Sequence, residues 1–262
     1  MKLSANTIKR ICSLHNKKFR NSFALFIAEG EKLVEEAERS AFTIVEKYHI
    51  SDIGEEQMKK ISALTTPSPI LAVIKQQNYS ALELLRGIAD ITKGHHIYLA
   101  LDGVKDPGNL GTIIRLADWF GVEGLFLSED CVELYNPKTV QATMGAIFRV
   151  KVSYTELTSV MAEFRSHSLP VVGTLLGGNS FSKATALKER LKSSPACLIV
   201  LGSESFGISQ AVEALIEPSE RIVLPAYNPN GVERDATEMG QTSESLNVAT
   251  AAAIILSQIR IL

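Results

Sequence analysis

The run Leu101-Asp-Gly-Val-Lys-Asp-Pro-Gly-Asn-Leu-Gly-Thr-Ile-Ile-Arg115-Leu-Ala-Asp-Trp-Phe-Gly121 carries the plan of the chain. Residues 97–101 are an unbroken apolar stretch entered from Lys93-Gly94 and left through Asp102-Gly103, the pattern of a strand buried on both faces. Asp106-Pro107-Gly108 is turn chemistry, and Asn109 is placed to cap the helix that follows. Leu110, Ile113, Ile114, Ala117 and Phe120 recur at helical spacing, and Gly121 sits where a C-terminal cap belongs. Arg115 falls in the first half of that helix, where the helix dipole disfavours a cation. It is a poor helix stabiliser there, so two readings stand: a job outside the helix, or a solvated arginine on an amphipathic face.

The 262 residues suffice for one large or two modest domains, each with a real core. Hydrophobic residues make up 45%, charged residues 21%, and the net charge is −2, so nothing global marks a nucleic-acid binder. Charge distribution is more telling. Residues 1–20 carry Lys2, Lys9, Arg10, Lys17, Lys18 and Arg20 and no acid, which predicts a phosphate-facing surface, with a solvated helix face as the alternative. Cys12, Cys131 and Cys197 form no C-x-x-C pair, and the five histidines fall at no ligand spacing, so neither disulfide nor metal is expected. The sequence has no apolar leader at its start and no run long enough to span a bilayer. A cytoplasmic protein without membrane partners is expected.

A first part is expected at residues 1–75. It has strands near 23–28, 42–50 and 70–75, helices near 6–15, 29–40 and 55–64, and makes a small α/β domain. Residues 76–94 read as a linker. In residues 95–262, strands near 97–101, 124–127, 150–152, 169–174, 197–201 and 221–224 alternate with helices near 110–120, 138–145, 154–167, 185–193, 210–216 and 245–261. That rhythm predicts a mostly parallel sheet with ligands at the carboxyl ends of its strands. Three clusters converge on that edge: the opening run, the strand and glycine turn Cys197-Leu-Ile-Val-Leu-Gly-Ser-Glu204-Ser-Phe-Gly207, and Leu224-Pro225 with Ser245-Leu-Asn247-Val.

Together these clusters resemble the SpoU (TrmH-like) family of RNA ribose 2′-O-methyltransferases, of the SPOUT superfamily. The carriers are Asp106-Pro-Gly-Asn109-Leu-Gly111 with Arg115, Leu201-Gly-Ser-Glu204 with Gly207, and Leu224-Pro225 with Ser245-Leu-Asn247-Val. Gln141-Ala-Thr-Met-Gly145-Ala-Ile-Phe looks like the family's small-residue helix. Lys17-Lys18-Phe19-Arg20 and Phe26-Ile-Ala-Glu29-Gly30-Glu31 are similar to its ribosomal-protein-like N-terminal substrate domain.

The resemblance implies a C-terminal trefoil-knotted α/β methyltransferase domain, a homodimer, and S-adenosylmethionine as cofactor. It implies cofactor contacts from Thr174, Leu175, Gly202, Leu224 and Leu246, and a catalytic group of Arg115, Asn109, Glu204, Ser245 and Asn247. Arginine is hard to deprotonate, so Arg115 is better suited to stabilise the developing ribose alkoxide and hold a phosphate than to act as base. RNA contacts are expected from Lys17, Lys18, Arg20 and Arg234. Residues 226–244 are longer than the family's usual link, which suggests a lid or an added RNA contact through Arg234. The expected activity is 2′-O-methylation of structured RNA, with rRNA first and tRNA second. A catalytically silent RNA-binding protein is the rival class. A nicotinamide oxidoreductase is disfavoured because Gly103, Gly108 and Gly111 do not make G-x-G-x-x-G.

Overall fold

The structure is a computed structural model and describes residues 2–91, 94–233 and 246–262. It divides into two compact units. One comprises Met1–Asn78, Asp106–Arg115 and Val132–Arg149, the other Tyr79–Lys105, Leu116–Cys131 and Val150–Leu262.

In the first unit, β1 (Leu25–Glu29), β2 (Ile44–His49) and β3 (Ile70–Lys75) form an antiparallel sheet in the order β1-β3-β2. Its centre, β3, is buried along Ile70–Ile74, and Ile11, Leu14, Ile27, Met58, Ile61, Leu71 and Val73 pack as one core. The basic stretch between the expected first helix and first strand is itself a helix, Lys17–Phe23, because Asn16 caps it by accepting from Lys18 N. Pro137–Ala142 packs in this unit against the helix start at Gly111, where a Cβ would stand 2.5 Å from the Ala142 Cβ and 2.7 Å from the Thr139 carbonyl oxygen. Close approach explains a glycine inside a helix, where it otherwise costs about 1 kcal/mol relative to alanine.

The second unit holds β4 (His96–Asp102), β5 (Gly124–Leu127), β6 (Val152–Tyr154), β7 (Val171–Ser180), β8 (Ala196–Gly202) and β9 (Arg221–Val223). They form a wholly parallel six-stranded sheet in the order β6-β5-β4-β8-β7-β9. Central β4 and β8 run in register from His96↔Ala196 to Asp102↔Gly202, so their carboxyl ends are level. Leu84 and Ile88, inside the expected linker, belong to this unit's core with Tyr98, Phe126, Phe164 and Leu198. Leu84 lies over Gly124, where a Cβ would come within 2.8 Å of it.

β7 continues to Ser180, beyond the expected end at residue 174. Gly177-Gly178 reads as a strand end, yet Gly178 lies so near the Ile222 backbone that a Cβ would meet it at 2.6 Å. The glycine permits that contact, and pairing resumes at Asn179↔Ile222 after a register shift.

Candidate active site

The helix of the opening run spans Pro107–Trp119, starting earlier than expected. Asp106, not Asn109, is its N-cap: its carboxylate oxygen accepts from Asn109 N at 2.8 Å and its carbonyl from Leu110 N at 3.1 Å. Pro107 then fills the first helical position, where a missing N–H costs nothing. Gly121 ends the helix as expected, at φ +61, with Val122 N donating to the Ala117 carbonyl. Arg260, at the end of the helix Val248–Arg260, donates to the carbonyls of His95 at 2.6 Å, Phe120 at 2.6 Å and Gly121 at 2.5 Å. A cation there meets the negative end of the helix dipole.

Arg115 is exposed and, among the described residues, its guanidinium has neither hydrogen bond nor ion pair. Asn109 is half-buried six positions earlier, about 120° around the helix and about 9 Å along it. Residues at that spacing do not face each other.

In the second unit, the level ends of β4 and β8 are tied together. The Asp102 carboxylate, 7% exposed, accepts from Ser209 N at 2.7 Å. Between them, residues 203–207 close a tight turn: Ser203 N donates to the Gly207 carbonyl at 3.0 Å, and Gly207 N to the Ser203 carbonyl at 2.9 Å. A Cβ at Gly202 would overlap the Gly207 carbonyl and Ile208 N, so glycine is required there. This turn displays Glu204 to solvent beside Phe206, which is 91% exposed. On the other flank, Gly103 N donates to Ser128 Oγ at 2.9 Å, and Ser128 Oγ to Asp130 at 2.5 Å. Lys105 Nζ reaches the same carboxylate at 2.6 Å, and these hydrogen bonds hold the Asp130 carboxyl below the usual carboxylate range. Sequence reasoning missed Asp102, Asp106 and Asp130. Asp102 ends β4, Asp106 directly precedes the helix Pro107–Trp119 and Asp130 lies three residues past β5, and those boundary positions were the available signal.

Thr174 and Leu175 on β7, Gly202 ending β8 and Leu224 directly after β9 are half-buried at three neighbouring strands. Thr174 Oγ1 donates to the Val200 carbonyl at 3.4 Å. Around Gly177 and Gly207, no atom lies within 4 Å of where a Cβ would stand. Asn247 caps the last helix, accepting from Ala249 N at 3.0 Å and Thr250 N at 3.2 Å, while Leu246 is 47% exposed. Ser245 and Arg234, both expected at the site, lie outside the described residues, as does most of the loop 226–244.

In the first unit, Lys17 and Lys18 are exposed as expected. Arg20 is not, and its expected RNA contact is corrected: it is 2% exposed, bonded to Glu133 at 3.0 and 2.5 Å and to the Leu14 carbonyl at 2.8 Å. Two cavities of about 340 and 310 Å³ in this unit flank Glu29 and Gln141 rather than the strand-end loops. Glu29 is occupied there by Ser62 and by Ala63 N at 2.7 Å, a structural use. Burial pushes the Cys197 thiol up to about 12 and raises Cys131 as well, so neither supplies a thiolate nucleophile. Among the described residues no group of His, Cys, Asp or Glu is arranged to hold a metal, and no helix is long and apolar enough to cross a membrane.

Residues 96–230 match the SpoU rRNA Methylase family, and residues 5–50 an MRM3-like substrate binding domain. The 23S rRNA (guanosine(2553)-2′-O)-methyltransferase RlmP of Bacillus subtilis is 30% identical over 94% of this chain and 93% of its own length. A solved RNA methyltransferase of the TrmH family from Porphyromonas gingivalis superposes with a TM-score of 0.77 at 32% identity, covering 100% of this chain and 99% of that one. The AdoMet-bound rRNA methyltransferase from Sinorhizobium meliloti does so at 0.79 and 27%, covering 100% and 96%.

Proposed function

Because the chain belongs to the SpoU rRNA Methylase family, we propose that it methylates a ribose 2′-hydroxyl in rRNA with S-adenosylmethionine as donor. The observation that carries this reading is the levelled pair of strand ends, Asp102 opposite Gly202, from which two of the three motif loops depart. Such an edge of a parallel sheet is where ligands bind.

The residues fit the cofactor. Open space at Gly177 and Gly207 and the partly exposed side chains of Leu224 and Leu246 suit a ligand held by backbone groups and apolar contact. Thr174, Leu175 and Gly202 complete this set. S-adenosylmethionine, when bound, supplies an electrophilic methyl group. Arg115, with all five donors uncommitted within the described residues, stabilises the ribose oxygen as it loses its proton and holds a neighbouring phosphate. Asn109 orients the ribose from the same helix start. Glu204 orders the turn 203–207. Asn247 fixes the start of the last helix, beside which Leu246 is assigned to the cofactor; Ser245 is assigned to the same pocket from the motif alone.

Lys17 and Lys18 are assigned to RNA phosphates, in a substrate domain built around residues 1–75, with the methyltransferase motifs carried by residues 95–262. A trefoil knot in which the C-terminal helix threads through a loop, and a homodimer, belong to the same reading. Trp119, 83% exposed, and Ile261, 82% exposed, support the dimer, since each adjoins a residue of the Arg260–Phe120 contact and together they offer apolar surface to a second copy. The reading places the protein in the cytoplasm, with its RNA.

Nucleoside mass spectrometry of rRNA and tRNA from cells with and without the gene tests the proposal. The expected result is loss of one 2′-O-methylnucleoside from rRNA alone. Loss from tRNA would reassign the substrate, and no loss from either would favour a silent RNA binder.

A further inference from the structure

The helix Lys17–Phe23 carries an aromatic pair that nothing in the site above uses. Phe19 and Phe23 stand four residues apart, on one face, with ring centroids 6.3 Å apart and planes 20° from parallel. They are 40% and 46% exposed, although a helix this short could turn such rings inward. Arg20 prevents that. Its guanidinium is buried against Glu133 and the Leu14 carbonyl, which fixes which face of the helix points in and leaves the rings outside. Asn16 caps one end, and Ala24 ends the other at φ 51. The pair is thus turned toward solvent, with nearly half of each residue exposed.

Its surroundings are cationic. Arg20 is engaged by Glu133, but Lys17 and Lys18 have no ion-pair partner among the described residues. Lys17 and Lys18 directly precede Phe19, and both are exposed. A protein partner would rarely place two unpaired lysines beside its apolar anchor, because lysine is depleted from interface centres. Flat rings edged by free ammonium groups suit a nucleic-acid base with its flanking phosphates.

We propose that Phe19 and Phe23 are a stacking platform for an unpaired RNA base, with Lys17 and Lys18 on the adjacent phosphates. The inference rests on the RNA-modifying reading and deepens it: the substrate would present a looped or bulged nucleotide to the first unit. In a duplex the faces of the bases are already stacked, so the platform selects single strands.

The test uses the full-length protein and two fluorescent probes, a 12-nucleotide oligouridine and a 12-base-pair RNA duplex, with methyl transfer to deproteinised rRNA measured in parallel. The double variant F19A/F23A should bind oligouridine about 10- to 30-fold more weakly while duplex binding changes less than about twofold. F19Y/F23Y should restore it, since tyrosine keeps the stacking face. Unchanged oligouridine affinity in F19A/F23A overturns the platform, and so does equal weakening on both probes. Loss of self-association with RNA affinity intact would show that the rings contact a second copy, which also overturns it. If F19A/F23A binds oligouridine as wild type does while wild type still methylates rRNA, the platform fails and the enzymatic reading stands. If wild type methylates no RNA, that reading fails whatever the binding data.

Discussion

Two helical stretches of the first unit each carry an arginine, and they use it in opposite ways. Arg20 lies in the last turn of Lys17–Phe23, where the dipole favours a cation, and it is buried with its donors engaged by Glu133 and Leu14. Arg115 lies four residues before the end of Pro107–Trp119, nearer the C-terminal end than the expected helix start at residue 110 implied, and stands exposed without a partner among the described residues. A positive charge in a basic-looking motif says little by itself. What separates a fixed strut from an available reagent is whether the fold has already supplied its counter-charge.

The largest expected effect falls on Arg115. Arg115→Ala should lower kcat/KM for rRNA by about 1,000-fold, roughly 4 kcal/mol of transition-state stabilisation, with melting temperature and S-adenosylmethionine affinity unchanged. Equal loss of cofactor binding would make Arg115 a strut too and erase the contrast. Arg20→Ala should do the reverse. Urea titration should show about 3 kcal/mol of lost stability, because Glu133 is stranded without its partner, while the folded fraction keeps its kcat. Gly111→Ala should cost about 2 kcal/mol by overpacking against Ala142 and Thr139, measured in the same titration. At the second unit's cap, Asn247→Ala should cost about 1 kcal/mol.

The smallest effect is a pH slope. Burial, reinforced by the charge of Arg260, holds the His95 imidazole below its ordinary range. Its folded pKa lies under its unfolded value, so its contribution is complete above about pH 6.5 and is lost as pH falls through the folded value. Stability measured from pH 7 to 5 should therefore decline, and His95→Gln should flatten the decline while keeping the carbonyl that Arg260 holds.

How far the sequence could be read depended on the range of the interactions involved. The buried run of β4, the helix after it and the Gly121 cap depend on neighbours in sequence, and they are legible there. The cap was misplaced by three residues because Asn109 and Asp106 are equally good cap chemistry, and only the position of Pro107 discriminates. Arg20 looked like Lys17 and Lys18 because its partner, Glu133, is 113 residues away. The same distance problem hid the membership of residues 132–149 in the first unit and of Leu84 in the second unit's core. β7 runs past its expected end at residue 174 because Gly178 allows a close approach to the Ile222 backbone, and only the presence of Ile222 decides that. The catalytic set proposed above rests on a motif alone, whereas the buried Asp102 that ties the ends of β4 and β8 belongs to no motif the sequence offered.

The most direct measurement of the central claim is an in vitro reaction of the purified protein with deproteinised rRNA and methyl-labelled S-adenosylmethionine, followed by nucleoside mass spectrometry with fragmentation across the glycosidic bond. The account predicts label retained on the ribose fragment with wild type and none with Arg115→Ala. Label on the base fragment, or undiminished ribose labelling by Arg115→Ala, would contradict it.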